Sequence, residues 1–211
     1  MNSRLSIDVY FDLICPWCLI GKRHLTRALE QLKTSRPDVQ PQVSWHSFPL
    51  LPDTPPNGVP YQAFYERRLG GAQAVAARRA QVREAGRVAG VDFAFEKISV
   101  MPNTLAAHRL VGLSARSGDG ALTERLIERL FQSYFMEGGD IGDIAVLNAL
   151  ARECGVALGD APLADALGAD RPRPAPHAVS GVPYFVFNHR LALSGAQPAE
   201  MLHQAMLQAL A

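Results

Sequence analysis

The chain has 211 residues, 48% of them hydrophobic, and 21 Lys and Arg against 20 Asp and Glu give a net charge of +1. That length and apolar content suit one sizeable core, or a core with an inserted subdomain. The balanced charge offers nucleic acid no basic patch, three cysteines are too few for a disulfide framework, and no stretch approaches a membrane span.

Residues 6–11 alternate apolar Ile7, Val9 and Phe11 with more polar neighbours, which predicts a strand. A helix is predicted over 16–32, with Cys18, Gly21, Leu25, Ala28 and Leu32 on one core-facing stripe. At the junction stands Cys15-Pro16-Trp17-Cys18. Residues three apart on a helix are neighbours, so the two sulfurs can close a disulfide ring with little chain movement. Cys15 falls at the N-cap and Pro16 at the first helical position, where a missing N–H costs nothing. The free amides and positive dipole end face the Cys15 sulfur and favour its thiolate, the attacking species. Cys18, one turn inside, reads as a shielded resolving thiol.

Strand, Cys-x-x-Cys, helix therefore points to a reversible dithiol/disulfide site. Half of a zinc site is one alternative, but zinc needs about four ligands. Only Cys154 remains and no His pair has ligand spacing, so no metal is expected. A static disulfide is the other alternative, and it is rare inside cells. Asp8 and Asp12 interrupt the N-terminal apolar run and no small-residue cleavage site follows, so the cytoplasm is the expected compartment.

Val43 and Trp45 alternate with Ser44 and His46 as a second strand, which completes a right-handed βαβ unit. Residues 49–60, rich in Pro and Gly, read as a linker. From 61 the pattern is helical: 61–69, 72–89 closed by Gly90, a run to 115 capped by Asn103 or Thr104, 121–135 with Leu122, Leu126, Leu130 and Tyr134 on one face, and 144–154 between Asp143 and Gly155. Residues 159–178 are irregular. Tyr184-Phe185-Val186-Phe187, a turn at 188–190 that is not a favoured Asn-Gly type, and Leu191-Ala192-Leu193 predict a hairpin. Pro198 opens a last helix, with Met201, Leu202, Ala205, Met206 and Ala209 as its apolar face. Cys154 shares a stripe with Ile144, Leu147 and Leu150 and reads as a buried core thiol. His24, His46, His177, His189 and His203 show no common spacing and receive no role.

This order resembles the thioredoxin fold, and the helical insertion between its halves resembles the DsbA-like superfamily, most closely its FrnE-like branch. The residues behind the resemblance run from end to end: Asp12-Leu13-Ile14-Cys15-Pro16-Trp17-Cys18 with Ile20-Gly21, Asn103-Thr104 with Ala107-His108-Arg109, Tyr134-Phe135 with Glu137-Gly138, Gly181-Val182-Pro183, and Ser194-Gly195-Ala196-Gln197. It implies an α/β class, β-α-β then β-β-α, with a large all-helical insertion. The expected domains are 1–48 with 178–211 as a discontinuous thioredoxin-like domain, 49–60 as a Pro-rich linker, and 61–177 as a helical insertion.

The resemblance further implies that Cys15 is the nucleophile and Cys18 the resolving thiol of a thiol–disulfide oxidoreductase. Pro16 and Trp17 would tune the potential. Pro183 would face the sulfurs through a cis bond to Val182, whose exposed backbone would pair with substrate. Asn103 and His108 read first as a helix cap and a satisfied helix residue, with a place at the cleft as the alternative. No cofactor is expected to be bound, although glutathione is a candidate co-substrate. Substrates are protein or small-molecule thiols and disulfides; nucleic acid and membrane are not expected partners, and the oligomeric state is open, a dimer included. Where the family brings a helix up to Gly-Val-Pro, this chain has Arg171-Pro172-Arg173-Pro174-Ala175-Pro176, which does not suit a helix interior. The runner-up reading is a glutathione-dependent isomerase or transferase of the 2-hydroxychromene-2-carboxylate isomerase or kappa class. Those relatives typically carry serine at the position of Cys15 and have no second cysteine. A non-catalytic peptide-binding chaperone or adaptor is a third.

Overall fold

The computed structural model describes residues 3–158, 163 and 179–211. The expected irregular stretch 159–178, with its Arg-Pro run and His177, lies outside the described residues, Leu163 excepted. The chain divides into two compact units, one of residues 1–48 and 174–211 and the other of residues 49–173.

The first unit is built on β1 (Ser3–Phe11), α1 (Pro16–Ser35) and β2 (Val39–Ser47). β1 and β2 pair in parallel with Ile7 opposite Val43 and Val9 opposite Trp45, a pairing that requires a crossover, which α1 supplies. The chain returns with β5 (Tyr184–Phe187), β6 (Leu191–Ser194) and α7 (Ala199–Leu210). β5 runs antiparallel to β1 and β6 antiparallel to β5, so the sheet order is β2-β1-β5-β6. Period-two alternation turns Leu5, Ile7 and Val9 to one face, where they join Leu25, Ala28 and Leu32 of α1, Phe185 and Phe187 of β5, and Leu202, Ala205, Met206 and Ala209 of α7 in a single core. The whole predicted α1 stripe is buried. On the other face of β1, the Asp8 carboxylate accepts from His46 Nε2 at 2.7 Å, and Tyr10 stacks on the His46 ring.

The hairpin turn shows why Asn suffices where Asn-Gly was absent. Asn188 and His189 both take left-handed conformations, φ 47° and 54°, and Arg190 N–H closes the turn on Phe187 O at 3.0 Å. Two positive φ angles match the right-handed twist of the flanking strands. Asn tolerates that region, and here its side chain is also used. Oδ1 accepts from Ser6 N–H and Nδ2 donates to Ala209 O, both at 2.9 Å, so one residue ties the hairpin to β1 and to the end of α7.

The second unit contains α2 (Tyr61–Leu69), α3 (Ala72–Ala89), α4 (Leu105–Ala115), α5 (Gly120–Gln132) and α6 (Ile144–Cys154). Asp119 and Asp143 cap α5 and α6 through Leu122 N–H and Ala145 N–H. Leu122, Leu126, Leu130 and Tyr134 are all buried, although the last turn, Ser133–Glu137, widens to a π-helix. The insertion adds one feature that periodicity does not show: β3 (Val59–Pro60) pairs antiparallel with β4 (Val100–Met101). Two residues a side carry no readable alternation. Gly58, at φ 68°, allows the approach, since a Cβ there would lie 2.4 Å from a Val100 methyl.

Two sequence expectations are corrected here. Cys154 is only partly buried, and Ile144 is exposed: the buried stripe of α6 is Leu147, Leu150 and Ala151, and Cys154 ends the helix at its margin. Met201 is 50% exposed, because the buried stripe of α7 runs through Ala199, Leu202, Ala205, Met206 and Ala209 and leaves it one position to the side.

Replacing Asn188 tests the hairpin tie. Asn188→Ala, which loses three side-chain hydrogen bonds and keeps a left-handed backbone without the means to favour it, should cost about 3 kcal/mol, and Asn188→Gly about 1–2 kcal/mol. Urea unfolding midpoints at unchanged slope give both values.

Candidate active site

The end of β1 delivers the chain into a tight turn, Asp12-Leu13-Ile14-Cys15, closed by Cys15 N–H on Asp12 O at 3.2 Å. Cys15 is the N-cap of α1, with extended backbone at φ −91° and ψ 108°, and Pro16 follows at the first position. No side chain caps this helix start. Cys18 N–H donates to Cys15 O at 3.0 Å, which brings the second cysteine back over the first. Both thiols are free, Cys15 6% and Cys18 2% exposed. Pro16 and Trp17 between them are half-buried.

The loop before β5 lies directly opposite. The Val182–Pro183 peptide bond is cis, as the resemblance implies. The Cys15 thiol donates to Val182 O at 3.7 Å, and Pro183 O accepts from Gly195 N–H at 2.8 Å. Gly21 makes this approach possible. A Cβ on Gly21 would lie 3.0 Å from Pro183 Cγ and 3.2 Å from Phe185 Cζ, so α1 meets the loop and β5 there without a side chain.

The two thiols occupy different electrostatic positions. Burial pushes the Cys18 thiol well above its ordinary range. Its hydrogen bond with Cys15, the charge of Cys15 and the charge of Asp12 push the same way, opposed by a backbone hydrogen bond from Asp12. Asp12 is itself fully buried. The Cys154 thiol, in the other unit, is also raised, by burial first and by Glu153 second, with Arg129 and Arg125 opposing.

Of the residues singled out in the sequence, Cys15, Cys18, Val182 and Pro183 come together, with Pro16 and Trp17 in the same turn. Asn103 and His108 belong to the second unit. Asn103 has a structural part there: Oδ1 accepts from Leu105 N–H at 3.0 Å, and Nδ2 donates to Thr54 O at 2.6 Å, fastening the Pro-rich stretch to the start of α4. His108 is buried in the first turn of α4, its N–H on Thr104 O. The sequence gives no site role to Asp12 or Lys22, both buried, and none to Gly21 beyond its place on the core-facing stripe. A lone carboxylate flanked by Phe11, Leu13 and Ile14 was the available signal for the first. Among the described residues, no group of three or more His, Cys, Asp and Glu is arranged to hold a metal, and no helix is long and apolar enough to cross a membrane.

Comparison with known proteins places these observations. Residues 6–207 match the model of the DSBA-like thioredoxin domain family. The probable DsbA oxidoreductase SCO1869 of Streptomyces coelicolor is 27% identical in structural alignment, with a TM-score of 0.80 over 97% of this chain and 89% of that one. The uncharacterized protein YwbO of Bacillus subtilis is 27% identical over 152 residues, 72% of this chain and 67% of that protein. The cytosolic disulfide reductase DsbM of Pseudomonas aeruginosa, in its structure with GSH, shares the fold at 19% identity and a TM-score of 0.61, over 97% of this chain and 95% of that one.

The raised Cys18 thiol has a kinetic consequence. Burial and the charge of Asp12 still hold the Cys18 thiol up once Cys15 is in a disulfide, so a Cys18 that resolves such a disulfide should attack faster as pH rises, by up to about tenfold per pH unit between about pH 6 and pH 9. Release of a labelled thiol preloaded on Cys15, followed across that range, reads the slope; a flat profile contradicts the assignment.

Proposed function

Because this chain belongs to the DSBA-like thioredoxin domain family, we propose that it is a thiol–disulfide oxidoreductase whose redox couple is Cys15 and Cys18. One observation carries this reading: an N-cap thiol, hydrogen-bonded to a second buried thiol one turn inside, faces the Val182 backbone carbonyl 3.7 Å away. The reaction follows from those positions. Cys15 thiolate attacks one sulfur of a substrate disulfide, forms a Cys15–substrate disulfide and expels the other sulfur as thiolate. Cys18 then loses its proton and attacks Cys15 Sγ, expelling the second substrate thiolate. Two electrons have moved from the cysteine pair to the substrate; the same steps reversed oxidise a substrate dithiol.

Position supports Cys15 in the first role, since it caps α1 and faces the Val182–Pro183 loop, beside which a substrate segment would lie. Burial supports Cys18 in the second role, because a shielded thiol meets a disulfide only after Cys15 has brought one in. Val182 would hold an extended substrate segment by main-chain pairing, with Pro183 fixing its direction. Pro16 and Trp17 would set the potential, for which about 30 mV corresponds to about 1.4 kcal/mol. The second thiol also favours this reading over a glutathione-dependent isomerase, whose chemistry has no use for it. Glutathione enters as a proposed co-substrate; the DsbM structure was obtained with it. The finer placement in the FrnE-like branch and in the cytoplasm belongs to this proposal, supported by the motifs spread along the chain and by a count of three cysteines, too few for a disulfide framework.

Two variants test the assignment. Cys15→Ser should abolish turnover of a dithiol-dependent disulfide assay, a loss of at least about a thousandfold. Cys18→Ser should accumulate a Cys15–substrate mixed disulfide visible by mass spectrometry. Full activity in both variants would end the reading.

A further inference from the structure

The turn Ser194-Gly195-Ala196-Gln197, conspicuous in the sequence, has no part in the chemistry above, and His24 was given none. The structure connects them. His24 Nδ1 lies 2.8 Å from Gln197 O. A carbonyl oxygen only accepts, so Nδ1 carries the hydrogen, whether the ring is neutral or charged. Gln197 N–H donates to Gly195 O at 2.8 Å, a tight turn about Ala196, and Gln197 Nε2 donates to Ser194 O at 2.7 Å. Gly195 N–H in turn holds Pro183 O at 2.8 Å. Gly195 has φ 83°, which a side chain would resist.

These contacts close a ring. It starts at Cys15, runs along α1 to His24, crosses to Gln197, passes through Gly195 to Pro183, and returns from Val182 O to Cys15 Sγ. Between its two ends, Gly21 rests against the Pro183 ring, and Gly21 and His24 are three residues apart on the same side of α1. The distance between the attacking sulfur and the Val182 backbone is therefore set at two places, by contact at Gly21 and by a hydrogen bond at His24. We propose that His24 is a positioning residue: through the Ser194–Gln197 turn it holds the Val182–Pro183 segment at its working distance from Cys15. The inference rests on the oxidoreductase reading only for the identity of the reaction; the strut itself is a property of the fold.

The test uses the full chain, His24→Ala, and His24→Asn, whose Nδ2 stands near the original Nδ1. Three measurements are made: amide hydrogen exchange by NMR, steady-state kinetics on a disulfide-bonded peptide, and alkylation of Cys15 by iodoacetamide. In His24→Ala, exchange at Gly195 should rise about tenfold while central β1 amides keep their rates, and KM should rise about fivefold with kcat and alkylation within about twofold. His24→Asn should stay within about twofold of the parent in every measure. Unchanged Gly195 exchange in His24→Ala overturns the proposal. So does a rise shared by the whole sheet, or an Asn variant as impaired as the Ala variant. If the parent chain itself fails to turn over the peptide, the oxidoreductase reading falls separately, and exchange at Gly195 alone decides the strut.

Discussion

The close approach of α1 to the Val182–Pro183 loop is the constraint on which the rest of the first unit depends. A helix start with unbonded amides is common, and so is a proline loop. What makes this pair a site is that a sulfur and a carbonyl meet at 3.7 Å, and that is a packing result. Gly21 spares a Cβ that would press to 3.0 Å from the Pro183 ring, and Phe185, on the central part of the sheet, lies against the same spot. The core of Leu25, Ala28 and Leu32 against β1 and α7 then fixes the helix at its far end. Chemistry at the near end inherits its precision from apolar packing well away from it.

The two cysteines show how environment separates side chains of one kind. They differ by a single turn, yet one ends the helix backbone at its cap and the other lies inside the first turn over a buried carboxylate. Desolvation and the negative charge of Asp12 raise the inner thiol, and the outer thiol adds to that rise by accepting its hydrogen bond. The proposed order of events rests on this difference: the outer sulfur would react with what arrives, and the inner one would wait until a bond to the outer sulfur exists. Trp17 and Pro16 occupy the space between these roles, within reach of both.

Much of this was legible in the sequence, because the signals are local. The alternation of Ile7, Val9 and Phe11, the stripe from Cys18 to Leu32, the aspartate caps at 119 and 143 and the glycine stops at 90 and 155 each depend on nearest neighbours along the chain. What escaped depends on partners far away in sequence. Gly21 looks like any helical glycine until Pro183 is placed beside it. Asn188 looks like an unfavourable turn residue until Ser6 and Ala209 are seen to need its side chain. His24 has no sequence pattern because its partner is a backbone carbonyl 173 residues away. Cys154 and Met201 failed for a smaller reason: a stripe drawn at helical spacing has edges, and both residues sit on one.

The sheet of the first unit is assembled from segments on either side of the second unit in sequence, and that has a consequence for biosynthesis. During translation β1, α1 and β2 leave the ribosome well before the later segment that carries β5 and α7 and covers Leu5, Ile7 and Val9. Until that segment emerges, the early half carries an uncovered apolar face and a cysteine pair with no Val182 opposite it. Non-local pairing of this kind is slow to form and leaves such surfaces open meanwhile. The nascent chain thus holds both sulfurs long before Val182 stands opposite them, and a polypeptide released short of residue 182 would carry the thiol pair without the loop that faces it.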